Sequence, residues 1–243
     1  MHLGAGLAVA VACLFFWLPR TALSGLQTLI HEMGHAFFGW IFGHPSIPAF
    51  DLQYGGGVTL IPDQSGKLLI LLYGGLAFLA YLLRRNRLAL IVLACFTAVY
   101  ALLAHTRGNE TVILWMGHGT ELLIAGVFLY RALSGQSILN PLERPLYAVC
   151  GWFLILKDLG FGYGLLTDAY ERAQYEMGKG GTPNDFVVLA RAHFHVEMTT
   201  LVFVFLLTCI LPVAAAFLTH RYRAWMWSGI RALAATETGE PVS

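Results

Sequence analysis

Runs of apolar residues long enough to cross a bilayer recur along almost the whole chain, and they restrict its fold more than any other feature. A helix needs about 17–25 such residues to span the hydrocarbon. In lipid a segment must also satisfy its own backbone hydrogen bonds, which a helix does and an open strand does not. Seven spans are expected, near residues 2–18, 22–43, 68–83, 88–104, 111–130, 145–166 and 190–218, with Pro212 placed to kink the last. The expected fold class is all-α, a polytopic transmembrane helical protein. Charged residues make up 12% of the chain and hydrophobic ones 57%, against about 25% charged in a soluble domain. Residues 1–243 therefore read as a single membrane-embedded domain, with a core over about 22–218, an extra N-terminal span at 1–18 and a cytoplasmic tail at 219–243. The stretch from Leu3 to Leu18 has the length of a signal-peptide core, but without a basic leader or a small-x-small cleavage site it is kept as a span.

Charge sets the orientation. Arg20, Arg84, Arg85, Arg87, Arg131, Arg144, Arg221, Arg223 and Arg231 fall on one side of this arrangement, and Lys67, Arg107, Arg172, Lys179 and Arg191 on the other. Nine against five puts the N-terminus outside and the C-terminus in the cytoplasm; the inner membrane of a prokaryote is the expected setting. A net charge of +1, with no basic cluster interleaved with aromatics, argues against nucleic acid as a partner. Cys13, Cys95, Cys150 and Cys209 stand in apolar runs without C-x-x-C spacing, so neither a disulfide framework nor a thiolate metal site is expected.

The second apolar run is interrupted by Gln27 and by His31-Glu32-Met33-Gly34-His35. Histidines four apart on a helix lie on one face about one turn apart, so both imidazoles can reach one divalent metal, Zn2+ above all. Glu32 can then take a proton from a water polarised by that metal and act as the catalytic general base. By chance the H-E-x-x-H pattern arises in roughly one chain of this length in a few hundred. It is rarer still in an apolar helix, where a charged group costs about 2.5–3.5 kcal/mol.

A catalytic zinc site takes a third protein ligand. Asp158, well inside the sixth span, is the first candidate, because a metal would neutralise its buried charge. His118 and Glu121, three apart and flanked by Gly117 and Gly119, are alternatives, as ligands or as groups that fix the tautomer of His31 or His35. His193, His195 and Glu197 read as a solvated helix start, and Lys157 as a snorkelling side chain. Between the second and third spans, Asp51 to Leu60 alternates well enough for a short hairpin with a glycine turn. Gly56, Gly57 and Val58 on its edge are candidate substrate-binding residues, able to pair with an extended peptide by strand addition.

Taken together, these residues resemble the site-2-protease class of intramembrane metalloproteases. The similarity rests on His31-Glu32-Met33-Gly34-His35-Ala36, and continues through Gly56-Gly57-Val58-Thr59, Tyr73-Gly74-Gly75, Asp158, Thr167-Asp168-Ala169 and Pro183 in that order. The resemblance implies zinc-dependent cleavage of peptide bonds in or beside the membrane-spanning helices of substrate proteins. On that pattern His31 and His35 bind the metal, Glu32 activates water, and an aspartate of a later helix completes the site. The class's Asn-Pro…Leu-Asp-Gly ligand motif is missing here, which leaves Asp168 a further alternative to Asp158, Glu121 and His118. Two other functions fit the same cluster: a proteolytically silent protein that binds membrane clients, and a metal or proton transporter.

Overall fold

The computed structural model describes residues 2–53 and 55–238. Helix α1 (His2–Phe15) meets α2 (Trp17–Ile41) at Phe16 with a bend of 105°. A hairpin of β1 (Ile47–Phe50) and β2 (Gly57–Leu60) follows, then α3 (Gly66–Leu82), α4 (Arg87–Ala104), α5 (Gly108–Ser134), α6 (Glu143–Thr167) and α7 (Ala169–Met177). A single turn, α8 (Asp185–Val188), runs into a π-helical turn over Leu189–Phe194, and α9 (Met198–Thr208) and α10 (Leu211–Thr238) complete the chain.

The all-α expectation holds, with the hairpin in the loop where a strand pair was expected. Four helical stretches are long and apolar enough to cross a membrane: Arg87–Ala104, Gly108–Ser134, Glu143–Thr167 and Met198–Trp225. They mark the chain as a membrane protein. The runs at 2–18 and 22–43 together count as a fifth span if the bent pair is taken as one, and the run at 68–83 forms a 17-residue helix, short of the 18-residue length that the other four reach. By length and composition the described residues thus offer four or five spans, fewer than the seven expected. The presumed tail continues as α10 through Thr238, and residues 239–243 lie outside the described chain.

Local chemistry fixes the breaks. Asn86 caps α4 by accepting from the Ala89 amide at 2.7 Å. Gly135, at φ +66°, ends α5 in a conformation that glycine adopts without a side-chain clash. Pro212 stands at the second position of α10, where a missing N–H costs little, and the helix is interrupted at Cys209–Ile210 just before it.

Helices α5 and α6 run antiparallel. The Arg144 guanidinium at the start of α6 donates to the Ala132 and Leu133 carbonyls at the end of α5. At the opposite end of α5, Tyr100 of α4 donates to the Ile41 carbonyl, and Gln64 donates to Phe42 and Ala104, so the C-termini of α2 and α4 are tied together. Helix α1 crosses α6 with Gly6 against Ala148, and Trp152 donates to the Leu3 carbonyl. The largest buried cluster joins α6, α8 and α9 through Leu165, Phe186, Leu189, Val202 and Phe205.

A methyl group on Gly6 would overlap Ala148, whereas one on Gly4 would meet nothing within 4 Å. Gly6→Ala is expected to lower stability by about 1–3 kcal/mol and Gly4→Ala to leave it unchanged, read from thermal unfolding of the detergent-solubilised protein.

Candidate metal centre

Helix α2 presents His31 and His35 toward α5, where Gly117 leaves room for both rings, while Glu32 faces the hairpin. A Cβ on Gly117 would lie 2.5 Å from His35 Nε2 and 2.6 Å from His31 Cε1. Gly34 also lacks a side chain where one would strike the Met116 carbonyl and Thr120. These two glycines let α2 and α5 approach closely enough for the imidazoles to lie against the α5 backbone.

Both rings are held by their outer nitrogens. His35 Nδ1 lies 2.8 Å from the Ile113 carbonyl, and His31 Nδ1 lies 2.8 Å from Glu121 Oε1. Each partner is an acceptor, so each Nδ1 carries the ring proton and each Nε2 is left with a lone pair. The two Nε2 atoms face each other at 3.0 Å, and Asp185 Oδ2 lies 3.2 Å from His31 Nε2 and 3.1 Å from His35 Nε2. With both rings neutral these are three acceptors converging on one point, which a divalent cation, or a proton held between an imidazole and Asp185, would satisfy. Metal–ligand bonds of about 2.0–2.1 Å in a tetrahedron place ligand atoms about 3.3–3.4 Å apart, close to the observed spacing. His31, His35 and Asp185 therefore fit a divalent metal.

Asp185 was not among the residues singled out from the sequence. It opens α8 directly after the glycine-rich turn at 178–183, a place where an aspartate reads as a helix cap. Its position comes from the surroundings. Phe186, fully buried, packs on the rings of His118 at 5.0 Å and Phe205 at 5.1 Å. Asn184 Nδ2 donates to the Tyr175 carbonyl, and the Phe186 amide donates to the Tyr175 hydroxyl. Burial and the nearby Asp185 carboxylate push the Tyr175 phenol well up, so it stays neutral. The usable signal was Pro183-Asn184-Asp185-Phe186, a carboxylate leading an apolar helix out of a glycine turn.

The earlier candidates lie elsewhere. Asp158, with no exposed surface, has His118 Nδ1 at 3.1 Å and the Gln27 amide at 3.3 Å as partners rather than the Nε2 pair. Glu121 faces the outer nitrogen of His31 and accepts from Gln27 at 2.7 Å. The His118 ring packs against both Phe161 and Phe186. A second group, His31, His118 and Glu121, also has metal-ligand spacing, but it would use a His31 already placed in the first. Asp168 is exposed and caps α7 by accepting from the Tyr170 and Glu171 amides. His193 meets Thr111 at 2.8 Å, and His195 takes a left-handed backbone conformation before α9.

Glu32 is 7% exposed and is clamped by the hairpin. Thr59 Oγ1 donates to its Oε2 at 2.6 Å and lies 3.1 Å from its backbone carbonyl. Gly57 passes so close that a Cβ would overlap the Glu32 side chain, and Val58, 41% exposed, pairs with Ala49 across the hairpin. A Cβ on Gly56 would lie 2.7 Å from Lys179 Nζ, which donates to the Gly55 carbonyl at 3.0 Å. The hairpin tip and the turn that leads to Asp185 are thereby joined.

Comparison of the chain with protein-family models, curated proteins and solved structures finds no match.

For a zinc ion held by His31 and His35, Gly117→Ala would weaken binding by about tenfold or more through the overlap with both imidazoles, measured by titration of the purified protein. Gly119→Ala, whose Cβ would meet chiefly the flexible end of Met116, is expected to bind as the parent does.

Proposed function

We propose that the chain is a membrane-embedded zinc endopeptidase that hydrolyses peptide bonds in or next to the transmembrane segments of other membrane proteins. The observation that carries this is the convergence of His31 Nε2, His35 Nε2 and Asp185 Oδ2 beside a clamped Glu32. The H-E-x-x-H order and the resemblance to site-2 proteases support it. His31, His35 and Asp185 would hold Zn2+, with Asp185 in the place first sought for Asp158. When bound, the metal supplies Lewis-acid polarisation of the scissile carbonyl and of the attacking water.

Glu32 takes the proton from that water as its oxygen adds to the carbonyl carbon. It returns the proton to the amide nitrogen as the C–N bond breaks. Thr59 holds the carboxylate in place for both transfers. Gly57 leaves the room in which Glu32 lies, and the hairpin edge at Gly56, Gly57 and Val58 offers backbone groups to an unwound substrate segment. Such unwinding is required, because a helical peptide bond is shielded and already hydrogen-bonded. Glu121, fixed by Gln27, holds the His31 tautomer.

A multi-pass topology accompanies this function: α2, α3, α4, α5, α6 and the α9–α10 pair cross in alternate directions, which keeps Arg20, Arg84, Arg131, Arg144, Arg221 and Arg223 on the cytoplasmic side. The ties between the C-termini of α2 and α4 and between the end of α5 and the start of α6 agree with that alternation. Helix α1, turned by 105° from α2, is then not a crossing of its own.

One observation favours a second function. The chain His31, Glu121, Gln27, Asp158, His118 is a continuous polar path inside apolar helices, as a metal or proton transporter would need. Cation flux in proteoliposomes that survives Glu32→Gln would select transport.

For the peptidase, Glu32→Gln is expected to cut cleavage of a membrane-protein substrate by about 10²–10⁴-fold while zinc stays bound. Asp185→Ala is expected to lose stoichiometric zinc and Asp158→Asn to keep it, and Glu121→Gln to weaken it by about 10–100-fold. Undiminished cleavage by Glu32→Gln, or unchanged zinc content in Asp185→Ala, would overturn the assignment.

A further inference from the structure

At the elbow between α1 and α2 a bay of about 380 Å³ is lined by Phe15, Trp17, Arg20, Thr21, Ser24 and Lys157. Two cations share it. The arginine and lysine ion pairs among the described residues are those of Arg107, Arg131 and Arg191, and neither Arg20 nor Lys157 takes part in one. Lys157 projects from the interior of α6, a helix apolar enough to span a membrane, where an ammonium is costly; the Glu121 and Asp158 carboxylates attract it without forming an ion pair, and Arg20 repels it. A second positive group beside it raises that cost, and an anion held between the two lowers it. The polar surroundings suit such an anion. The first turn of α2 borders the bay with no acidic residue and no side-chain cap, so its positive end is uncompensated as well.

The rim of the bay is apolar. Phe15 and Trp17, which line it, are 82% and 78% exposed, and Phe16 and Leu18 next to them in the chain are 65% and 70% exposed, a run that an aqueous surface would not favour but acyl chains would cover. Tryptophan beside cations is also the combination found where a protein meets lipid headgroups. A small soluble anion would use the two charges and leave this rim bare, whereas an anionic lipid uses both.

We propose that this bay binds the phosphate of an anionic phospholipid, with Arg20 and Lys157 on either side of the phosphate, the Ser24 hydroxyl within the same bay, and the acyl chains along Phe15, Phe16, Trp17 and Leu18. The site is independent of the metal centre and of the proposed peptidase activity.

Native mass spectrometry of the detergent-solubilised protein, titrated with phosphatidylglycerol and with phosphatidylcholine, tests it. Phosphatidylglycerol should be retained in preference to phosphatidylcholine. Arg20→Gln combined with Lys157→Gln should weaken its retention by about 30-fold, roughly fivefold for each cation. Arg20→Lys combined with Lys157→Arg should keep it. Excess glycerol 3-phosphate should leave the lipid bound. Equal retention of the two lipids, unchanged binding in the neutralised pair, or loss of binding in the charge-retaining pair would each overturn the proposal. Displacement by glycerol 3-phosphate would overturn it too, by assigning the bay to a soluble phosphate ester.

Discussion

A polar group buried among apolar helices must find a partner, and this condition organises the interior of the protein. Transfer of an unpaired amide or hydroxyl from water costs on the order of several kcal/mol, and an unpaired charge costs more. The described core answers with one connected set. His35 is bound to a backbone carbonyl of α5, His31 to Glu121, Glu121 to Gln27, Gln27 to Asp158, and Asp158 to His118. Three helices, α2, α5 and α6, are held in register by these bonds. Removal of one member would strand its neighbours, so the set tolerates substitution poorly as a whole. Among the described residues, what is left without a partner is confined to a few atoms, among them Asp158 Oδ2.

Much of this was legible in the sequence, and for a physical reason. Helical periodicity alone places His31 and His35 on one face, and the cost of charge in lipid alone marks Glu121, Asp158 and His118 as interior groups with partners. Hydropathy gave the helical class because backbone satisfaction in lipid allows little else. The second strand and the glycine turn of the hairpin were legible from alternation in residues 51–60, whereas the first strand, Ile47–Phe50, lies ahead of that stretch.

What failed to show was decided by contacts remote in sequence. Asp185 reaches the histidines because Phe186 is wedged among rings from α5, α6 and α9, and because Tyr175 and Asn184 shape the preceding turn. None of these is a local property. Asp158 is expected as a ligand because a buried carboxylate needs neutralising; in the fold its Oδ1 is paired with His118 Nδ1 and the Gln27 amide, and its Oδ2 has no partner. The number of spans that length and composition support in the described helices is four or five, short of seven. The apolar runs at 2–18 and 22–43 each have the length of a span, yet the chain turns by 105° at Phe16 and α1 lies across α6 through Gly6 and Trp152.

The contact between Lys179 and the Gly55 carbonyl joins two segments with different duties. One carries Thr59, which steadies Glu32; the other leads to Asp185. On the proposed function, a peptide that docked along the hairpin and shifted its tip would pull on the turn ahead of Asp185. Substrate occupancy and the grip on the metal would then belong to one thermodynamic cycle, and whatever free energy the docked strand added to metal retention, the metal would return in equal measure to the docked strand.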